Sequence, residues 1–465
     1  MQRKEHPVHL YTVSGAMIAL TVFLGYFVHR TGFPLLLGLY GLFFCLYVYV
    51  LSYRRWAPGA ETWFLGLGIA LRALLLFSLP NWSDDFYRFL WDGRLAAQGI
   101  HPFAYHPAGF MAQQLPASGI TMELYQGLNS PEYYTVYPPV CQAVFWAAAK
   151  WYPESISGGV FVLKLFLLGC ETGTLLLLRR IGASPWCEKT GAGAAYALNP
   201  LAILEISGNC HFEGAMLFFL LAGWYALSRR QVLAAALGWA FSVASKLVPL
   251  LFLPILWARL GWRRGLHLVA AFAGFSVLLF APLLNAAILA NMAGSLNLYF
   301  RQFEFNASLY YALKSLGAQL APPAMDVART LGPLLGLAVF AGVLGIAFYR
   351  RTGGKTESGE SPADSADLTF LPARLVWASA FYLACATTVH PWYVLLPFGL
   401  SLLTPLRFPL VWTGAAVLSY SHYAGGGFRE HYGWIGMEYG LVFGAALRDI
   451  WFYRRKSGST ASGAA

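Results

Sequence analysis

The chain has 465 residues, of which 58% are hydrophobic and only 11% are charged. A soluble globular domain carries about 25% charged residues, so this composition excludes that class and indicates a polytopic membrane protein. The net charge of +11 does not indicate a nucleic-acid partner, because Arg and Lys occur in short clusters between apolar runs. The six cysteines have no paired or CxxC spacing, which predicts neither a disulfide framework nor a zinc site.

Apolar runs of roughly 17–25 residues recur from one end of the chain to the other, and each can cross a bilayer as a helix. The sequence therefore predicts an all-α fold, a polytopic transmembrane helix bundle of about 12–14 spans. The spans fall at residues 8–28, 33–51, 61–80, 158–178, 191–207, 212–228, a pair of short spans near 231–259, 266–284, 329–349, 370–389, 391–405, 408–421 and 434–453.

Clusters of basic residues between the spans predict the sidedness of the protein. Loops enriched in Lys and Arg face the cytoplasm, and about 14 crossings place all of these clusters on that side. The clusters are Arg3–Lys4, Arg54–Arg55, Arg179–Arg180, Arg229–Arg230, Arg263–Arg264, Arg350–Arg351 and Arg454–Arg455–Lys456. We therefore expect an integral membrane protein, surrounded by membrane lipids, with residues 81–157 forming a long loop outside the cytoplasm.

That external loop is too long for an idle connection, and its many aromatic and proline residues argue against disorder. We expect it to contain helices that lie at the membrane interface. The low-complexity stretch RTGGKTESGESPADSADL predicts a flexible cytoplasmic linker. The predicted layout is a membrane-embedded module over 1–350, this linker over 351–368, C-terminal transmembrane helices over 369–455 and a disordered tail over 456–465.

Charged residues cluster in NWSDDFYRFLWDGR, directly after the third apolar span. Ser83 can cap a helix that begins at Asp84, which places Asp84 and Asp85 in its first turn. At helical spacing Asp85, Arg88 and Asp92 share one face. In a purely structural interpretation, the carboxylates complement the helix dipole and pair with Arg88. Because the pair abuts the membrane and a third aspartate follows, we favour a functional cluster.

Four charged residues lie within or at the ends of apolar spans, where an ionised side chain is a functional candidate by default. These are Lys164, Glu171, Glu205 and Lys246. Lys164 and Glu171 are two turns apart on one helix face and could pair with each other. Lys246, in FSVASKLVPLLFLP, has no carboxylate nearby in the sequence and could meet a lipid phosphate near the outer surface. The alternative is that its side chain snorkels to the interface.

Polar residues at the predicted outer ends of later spans complete the set of candidates. Glu205, Asn209, His211 and Glu213 lie close together in NPLAILEISGNCHFEG. A His and a Glu two positions apart are a weak metal signal, so we predict no metal site; a divalent metal is compatible with the sequence but not indicated.

Two further candidates lie in the C-terminal half of the chain. His390, in TTVHPWYVLLPF, precedes a helix-breaking proline and an aromatic pair. Arg301, in LYFRQFEFNASLYY, is a cation among aromatic residues that suits either a phosphate or stacking on an aromatic ring.

Carboxylates and cations thus meet on one predicted side of the membrane. A carboxylate can act as general base toward a hydroxyl acceptor, and cations can neutralise a phosphate leaving group as its charge develops. This combination predicts glycosyl transfer from a lipid-phosphate sugar. The sequence contains no glycine-rich phosphate loop or dinucleotide fingerprint, which argues against a cytoplasmic nucleotide-sugar donor.

The order of motifs resembles a known superfamily. SDDFYRFLWDGRLAAQGIHPFAYHP, YYTVYPP, NPLAILEISGNCHFEG, VASKLVPLLFLP and HPWY follow one another as in the GT-C membrane glycosyltransferases. Within that superfamily the chain is most similar to bacterial polyprenyl-phosphate-mannose-dependent mannosyltransferases. The resemblance covers about residues 75–400, and its first segment is the most specific part. The acidic loop follows the third predicted span here rather than the first, which preserves its sidedness.

The resemblance implies a GT-C-like catalytic module and a donor in which a hexose, mannose in these relatives, is attached to a polyprenyl phosphate. It further implies transfer to a glycan or glycolipid hydroxyl outside the cytoplasm, with inversion at the anomeric carbon. The superfamily's acidic motif matches Asp84 and Asp85, and either could be the catalytic base, with Asp84 slightly favoured. No cofactor is implied with certainty.

The same resemblance assigns expected roles to the other candidates. Arg88, Lys246 and Arg301 are expected to bind the donor phosphate. The substrate pocket is expected to contain Asp92, His211, Glu213, His390 and Tyr393. A lipid-linked sugar flippase or transporter is the alternative from another functional class, but transporters usually show internal repeats and charges near the midplane. A lipid A-type aminosugar transferase, or another GT-C enzyme with a different donor, is the third interpretation.

Overall fold

The computed structural model describes residues 7–53, 56, 59–182, 191–283, 285, 288–295, 303–320, 326–349, 370–425 and 427–459. Within these ranges the regular elements are helices, and the β-type pairing is limited to an isolated bridge between Phe305 and Thr388. The predicted all-α bundle is therefore confirmed. Arg301 and the predicted linker 351–368 lie outside the described residues.

The N-terminal half of the bundle contains eleven of the α-helices described. They are α1 Pro7–Tyr26, α2 Phe33–Ser52, α3 Ala60–Leu74, α4 Asp85–Ala97, α5 Pro107–Ala112, α6 Met122–Gln126, α7 Pro139–Trp151, α8 Ile156–Ile181, α9 Gly191–Ala197, α10 Glu213–Ser228 and α11 Val232–Ser245. A π-helix, Ala202–Gly208, lies between α9 and α10.

The C-terminal half continues the bundle. Its α-helices are α12 Leu253–Phe280, α13 at residues 288–295, α14 Leu309–Leu320, α15 Val327–Phe348, α16 Leu371–Cys385, α17 Leu395–Ser401, α18 Phe408–Ala415 and α19 Tyr432–Ser459. Short 3₁₀ helices cover Val248–Phe252, Ala281–Leu283, Pro391–Val394 and Ala416–Tyr423. Helix α19 continues past residue 456, where the predicted tail begins, and residues 460–465 lie outside the described ranges.

Five helical segments of the described chain are long and apolar enough to cross a membrane: Val8–Tyr26, Phe33–Ser52, Ile156–Ile181, Val248–Leu283 and Val327–Phe348. A sixth is counted if Ala202–Gly208 and Glu213–Ser228, which are bent by 112°, form one broken span. This count is lower than the 12–14 predicted spans because several of those spans are divided into shorter helices. The predicted span 191–207, for example, contains α9 and most of the π-helix.

A buried ion pair ties together three helices of the N-terminal half. Nε of Arg72, on α3, donates to Oε2 of Glu171, on α8, at 2.8 Å, and both side chains are fully buried. Arg72 also donates to the carbonyl oxygen of Ala197, on α9, at 2.6 Å. The Tyr196 hydroxyl donates to Oε1 of Glu171 at 2.9 Å. Both carboxylate oxygens therefore have donors, which is the condition under which a buried charge is tolerated.

Lys164 and Glu171, for which a pairing was one possibility, do not pair. Residues seven apart on a helix are about 10 Å apart along its axis, and Glu171 is already bound to Arg72. The Lys164 ammonium donates instead to the carbonyl oxygens of Leu75 and Ser78 at 2.9 and 2.7 Å, and to the Ser78 hydroxyl at 2.8 Å. Lys164 thus stabilises the chain between α3 and α4.

The segment 81–157 is ordered into four helices, α4 to α7. Helix α4 packs closely on α7 because residue 93 is a glycine: a Cβ there would lie 2.1 Å from the carbonyl oxygen of Phe145. The N-caps of α5 and α6 are made by His106 and Thr121, whose side chains accept backbone N–H groups three residues later. The loop therefore forms a folded layer that fixes the position of α4.

Candidate active site

The N-terminus of α4 separates the two aspartates of the acidic motif. The helix begins at Asp85, so Asp84 occupies the N-cap position, one residue later than predicted. The Asp84 side chain makes no capping hydrogen bond, because its Oδ2 binds the guanidinium of Arg30. Ser83 Oγ accepts the backbone N–H of Asp85 at 3.3 Å. Asp84 and Asp85 are adjacent in the sequence but thus have different surroundings.

Arg30, between α1 and α2, is a site residue that the sequence analysis missed. Its Nη1 donates to the carbonyl oxygen of Trp82 at 3.3 Å, and its Cζ lies 4.4 Å above the centre of the Tyr423 ring. Arg30 therefore connects the N-terminal helices, the acidic motif and the C-terminal half. A signal for it exists in the sequence, because it is an arginine on the predicted outer side, where the positive-inside pattern disfavours one.

Asp85 faces a large cavity. Its Oδ1 accepts a hydrogen bond from Nδ2 of Asn129 at 2.9 Å. Asn129 and Asp85 both line the cavity, whereas Asp84 does not. Among the described residues no cation forms an ion pair with Asp85 within 4.0 Å, in contrast to Asp84. Asp85 is thus a half-buried carboxylate held by a neutral neighbour.

Arg88, one turn further along α4, has an unused hydrogen-bond donor. Its Nε donates to Oδ1 of Asp92 at 2.8 Å, and its Nη1 donates to the carbonyl oxygen of Tyr133 at 2.8 Å. Its Nη2 is buried and has no partner among the described residues. An unpaired buried donor costs about 1–3 kcal/mol or more when charged, so this nitrogen marks a position where an anion would be stabilised.

Asp92 lies behind Arg88 rather than in the cavity. It is fully buried, and Nε2 of Gln142 donates to its second oxygen at 3.0 Å. Asp92 thus lies one layer behind the predicted pocket. It pairs there with Arg88 at the predicted helical spacing. Asp92 fixes the guanidinium plane of Arg88.

Lys246 and Glu213 form an ion pair across the cavity wall. Lys246 is the C-cap of α11, and Glu213 is the first residue of α10. The ammonium binds Oε1 of Glu213 and lies 4.1 Å from the centre of the Tyr393 ring. The carboxylate that the sequence around Lys246 lacks is therefore supplied from 33 positions upstream.

His211 lies between the π-helix and α10 and is held in two ways. Its Nδ1 is 3.2 Å from Oε2 of Glu205, a buried residue of the π-helix, and π-helical turns are frequent at functional sites. Its ring stacks on Trp392 with centres 3.6 Å apart, and His390 stacks on Trp392 at 4.5 Å. Glu205 also accepts the Tyr420 hydroxyl at 2.6 Å.

These groups surround one cavity of about 640 Å³. The predicted site residues that line it are Asp85, Arg88, His211, Glu213, Lys246, His390 and Tyr393. Asp84 and Asp92 are adjacent to its wall but do not line it, and Arg301 lies outside the described residues. Among the described residues, no three His, Cys, Asp or Glu side chains are grouped so that they could hold a metal ion.

Two tyrosine hydroxyls in the cavity are kept protonated. Burial raises the pKa of Tyr423 to about 12, and the nearby Arg30 only partly opposes this effect. Burial also raises the pKa of Tyr137 well above its ordinary value, and the charge of Asp85 adds to that shift. Both side chains therefore carry an O–H that can donate a hydrogen bond at neutral pH.

The sequence matches a family of membrane mannosyltransferases. The family model described as "Alpha-(1->6)-mannopyranosyltransferase, N-terminal domain" covers residues 13–261, which is more than half of the chain. This match confirms the resemblance to a GT-C-like mannosyltransferase family. The matched part contains α4, the π-helix and the ion pair of Glu213 with Lys246, whereas His390 and Tyr393 lie beyond it.

Two curated relatives are similar to parts of the chain. Alpha-(1->6)-mannopyranosyltransferase B of Corynebacterium glutamicum is 27% identical over 157 residues, which are 32% of this chain and 24% of the relative. Alpha-(1->6)-mannopyranosyltransferase A of Mycobacterium tuberculosis is 27% identical over 233 residues, 48% of this chain and 42% of the relative. The chain thus covers less than half the length of either relative.

Proposed function

The chain belongs to the alpha-(1->6)-mannopyranosyltransferase family, and from that premise we propose that it transfers a mannosyl residue from a polyprenyl-phosphate donor to a hydroxyl of a glycan or glycolipid. The observation that carries the proposal is the arrangement in the cavity. Within the described ranges, Asp85 has no cation within 4.0 Å and Arg88 has an unused donor, and both residues line the same space as Lys246.

The cations supply the binding site for the donor phosphate. The Nε and Nη1 atoms of Arg88 are already bound, whereas Nη2 has no partner among the described residues. Nη2 can therefore donate to a phosphate oxygen without breaking an existing hydrogen bond. Lys246, whose ammonium Glu213 would share with the phosphate, is a second candidate, and Arg301 remains a third. As the bond between the anomeric carbon and the phosphate oxygen breaks, the electron pair stays on the phosphate. Fixed cations stabilise this developing charge.

Asp85 is the proposed general base. It accepts the proton of the acceptor hydroxyl while the hydroxyl oxygen forms a bond to the anomeric carbon on the face opposite the phosphate, which inverts that carbon. Asp84 is less suited because its charge is already paired with Arg30 and it does not line the cavity. The geometry thus favours the second aspartate of the motif over the first.

The reaction takes place, in this proposal, on the extracytoplasmic side of the bacterial inner membrane. Basic clusters between the apolar runs support this sidedness, because they assign the loops on the other side of the bundle to the cytoplasm. The apolar helices of the described chain support an integral membrane protein. A polyprenyl chain would remain in the lipid while its phosphate reaches the cavity.

Transfer by the purified full chain in proteoliposomes tests the proposal. The donor is radiolabelled polyprenyl-phosphate mannose, and the acceptors are a panel of mannosides. We expect Asp85→Asn to lower the transfer rate by about 10²–10⁴-fold, the usual contribution of a positioned general base. Glu154→Gln, a change in an exposed carboxylate between α7 and α8, is the matched control and should leave transfer unchanged.

Two outcomes would contradict the proposal. Transfer that survives in Asp85→Asn at the wild-type rate would remove Asp85 from the mechanism. Movement of the labelled lipid across sealed liposomes, with no new glycosidic bond for any acceptor, would replace the transferase with a flippase.

A further inference from the structure

The two walls of the cavity differ in charge and in origin. The wall formed by residues 30–248 carries three cations, Arg30, Arg88 and Lys246, and two carboxylates, Asp85 and Glu213. The second wall comes from Phe303 onward in the chain and is mainly aromatic. Among its described residues, Glu304 is the only Asp, Glu, Lys or Arg. This second wall also lies beyond the part of the chain that the family model covers.

Glu304 is a fixed carboxylate with remaining hydrogen-bonding capacity. The Tyr310 hydroxyl donates to its Oε1 at 2.7 Å, and the Lys314 ammonium donates to Oε1 and Oε2 at 2.6 and 2.7 Å. Each carboxylate oxygen can accept two hydrogen bonds, so Oε2 can accept one more. The side chain is 26% exposed, so a ligand in the cavity can reach it.

Aromatic rings flank Glu304 along the chain. Phe303 lies 5.5 Å from the ring of Tyr133, the residue whose carbonyl oxygen binds Arg88. Phe305 packs against His390 at 4.6 Å. The backbone of Phe305 is fixed by hydrogen bonds to the Thr387 carbonyl oxygen and from the Val389 N–H, at 3.1 and 2.8 Å. The segment is therefore rigid and adjoins the wall that carries Arg88.

We propose that Glu304, together with the rings of Phe303 and Phe305, binds the acceptor sugar. A carboxylate has no hydrogen to donate to a phosphate oxygen, whereas it can accept hydrogen bonds from sugar hydroxyls. The apolar face of a sugar ring can pack on aromatic side chains, which commonly line ligand cavities beside a few polar groups. The inference rests on the proposed transferase function and adds to it the location of the neutral substrate.

Binding without the donor tests this subsite separately from catalysis. A free manno-oligosaccharide is titrated into the full chain in lipid nanodiscs, and saturation-transfer NMR reports the bound sugar. We expect Glu304→Gln to weaken binding by about tenfold, since hydrogen bonds to a charged group are the strong ones. Glu304→Asp keeps the charge for Lys314 but shortens the side chain, and should weaken binding less. Glu154→Gln should bind as the wild type does.

The transfer assay then separates acceptor from donor effects. Glu304→Gln should raise the acceptor KM while the donor KM stays within twofold of wild type. Equal binding by wild type, Glu304→Gln and Glu304→Asp would overturn the subsite. An equal rise of the donor KM and the acceptor KM would also overturn it, because that result would indicate a structural role for Glu304. A wild-type chain that binds the oligosaccharide through Glu304 but transfers no sugar would sink the transferase proposal and leave the subsite standing.

Discussion

Buried cations in two places, Arg72 and Lys164 in the helix core and Arg88 in the cavity wall, differ in how fully their hydrogen bonds are used. In the core, every nitrogen of Arg72 has a partner, and the three protons of the Lys164 ammonium have three acceptors. In the cavity wall, Nη2 of Arg88 has none among the described residues. A charge within an apolar span is thus weak evidence of function, and an unused donor on a residue that lines a cavity is stronger evidence.

Breaking the core pair should give the largest loss of stability. Removing one partner of a buried ion pair leaves the other charge uncompensated, so we expect Glu171→Ala to lower the free energy of unfolding by about 3–5 kcal/mol. Equilibrium unfolding in mixed micelles measures the change. Replacing both partners, as in Arg72→Met with Glu171→Leu, should recover much of the loss. A single variant within 1 kcal/mol of wild type would show that the pair is not a structural element.

Changing the arginine that carries the unused donor should affect binding of the donor substrate more than stability. Arg88→Lys keeps the positive charge, and its ammonium can stay with Asp92, but it removes both terminal guanidinium nitrogens, including the free Nη2. A hydrogen bond to a charged group is worth about 1.5–3 kcal/mol. We therefore expect the KM for polyprenyl-phosphate mannose to rise roughly 10–100-fold. Steady-state transfer kinetics provide the measurement.

The matched control for Arg88→Lys is on the same helix. Arg94 donates to the carbonyl oxygens of Gly119 and Glu154 and does not line the cavity. Arg94→Lys should therefore destabilise the loop without changing the donor KM. If both variants raised the donor KM equally, the position of α4 and not the Nη2 atom would explain the effect.

The sequence predicted the members of the site better than their contacts. The apolar runs predicted the helix bundle, and the resemblance to the superfamily implied His211, Glu213, Lys246, His390 and Tyr393 as site residues, all of which line the cavity. Local spacing could not predict contacts between distant segments. Lys246 meets a carboxylate 33 positions away, and Lys164 binds carbonyl groups 86 and 89 positions away instead of its helix neighbour.

Glu304 and Arg30 were missed for different reasons. Glu304 follows a predicted phosphate-binding arginine in an aromatic stretch, and nothing in its local pattern distinguishes it from a surface residue. Arg30 lies in a short connection without a motif, and its contact with Asp84 depends on how two helices pack. Only its position on the predicted outer side was visible in the sequence.

Removing the Lys164 ammonium should produce a smaller loss of stability than breaking the ion pair. Lys164→Met leaves the carbonyl oxygens of Leu75 and Ser78 buried without their donor, which costs about 1–3 kcal/mol. Transfer per folded molecule should change little, because Lys164 does not line the cavity. Lys150→Met, a change in an exposed lysine on α7, is the control. Loss of transfer with unchanged stability would place Lys164 in the chemistry.

The smallest effect should come from the first aspartate of the motif. The side chains of Arg30 and Asp84 are 22% and 38% exposed, and ion pairs that accessible are typically worth about 0.2–1 kcal/mol. Asp84→Asn should therefore slow transfer by no more than about fivefold, against the much larger loss in Asp85→Asn. Parallel transfer assays give the rate of each variant relative to the wild type. If the larger loss fell on Asp84→Asn, Asp84 would be the base, and Arg30 would have to release it when the substrates bind.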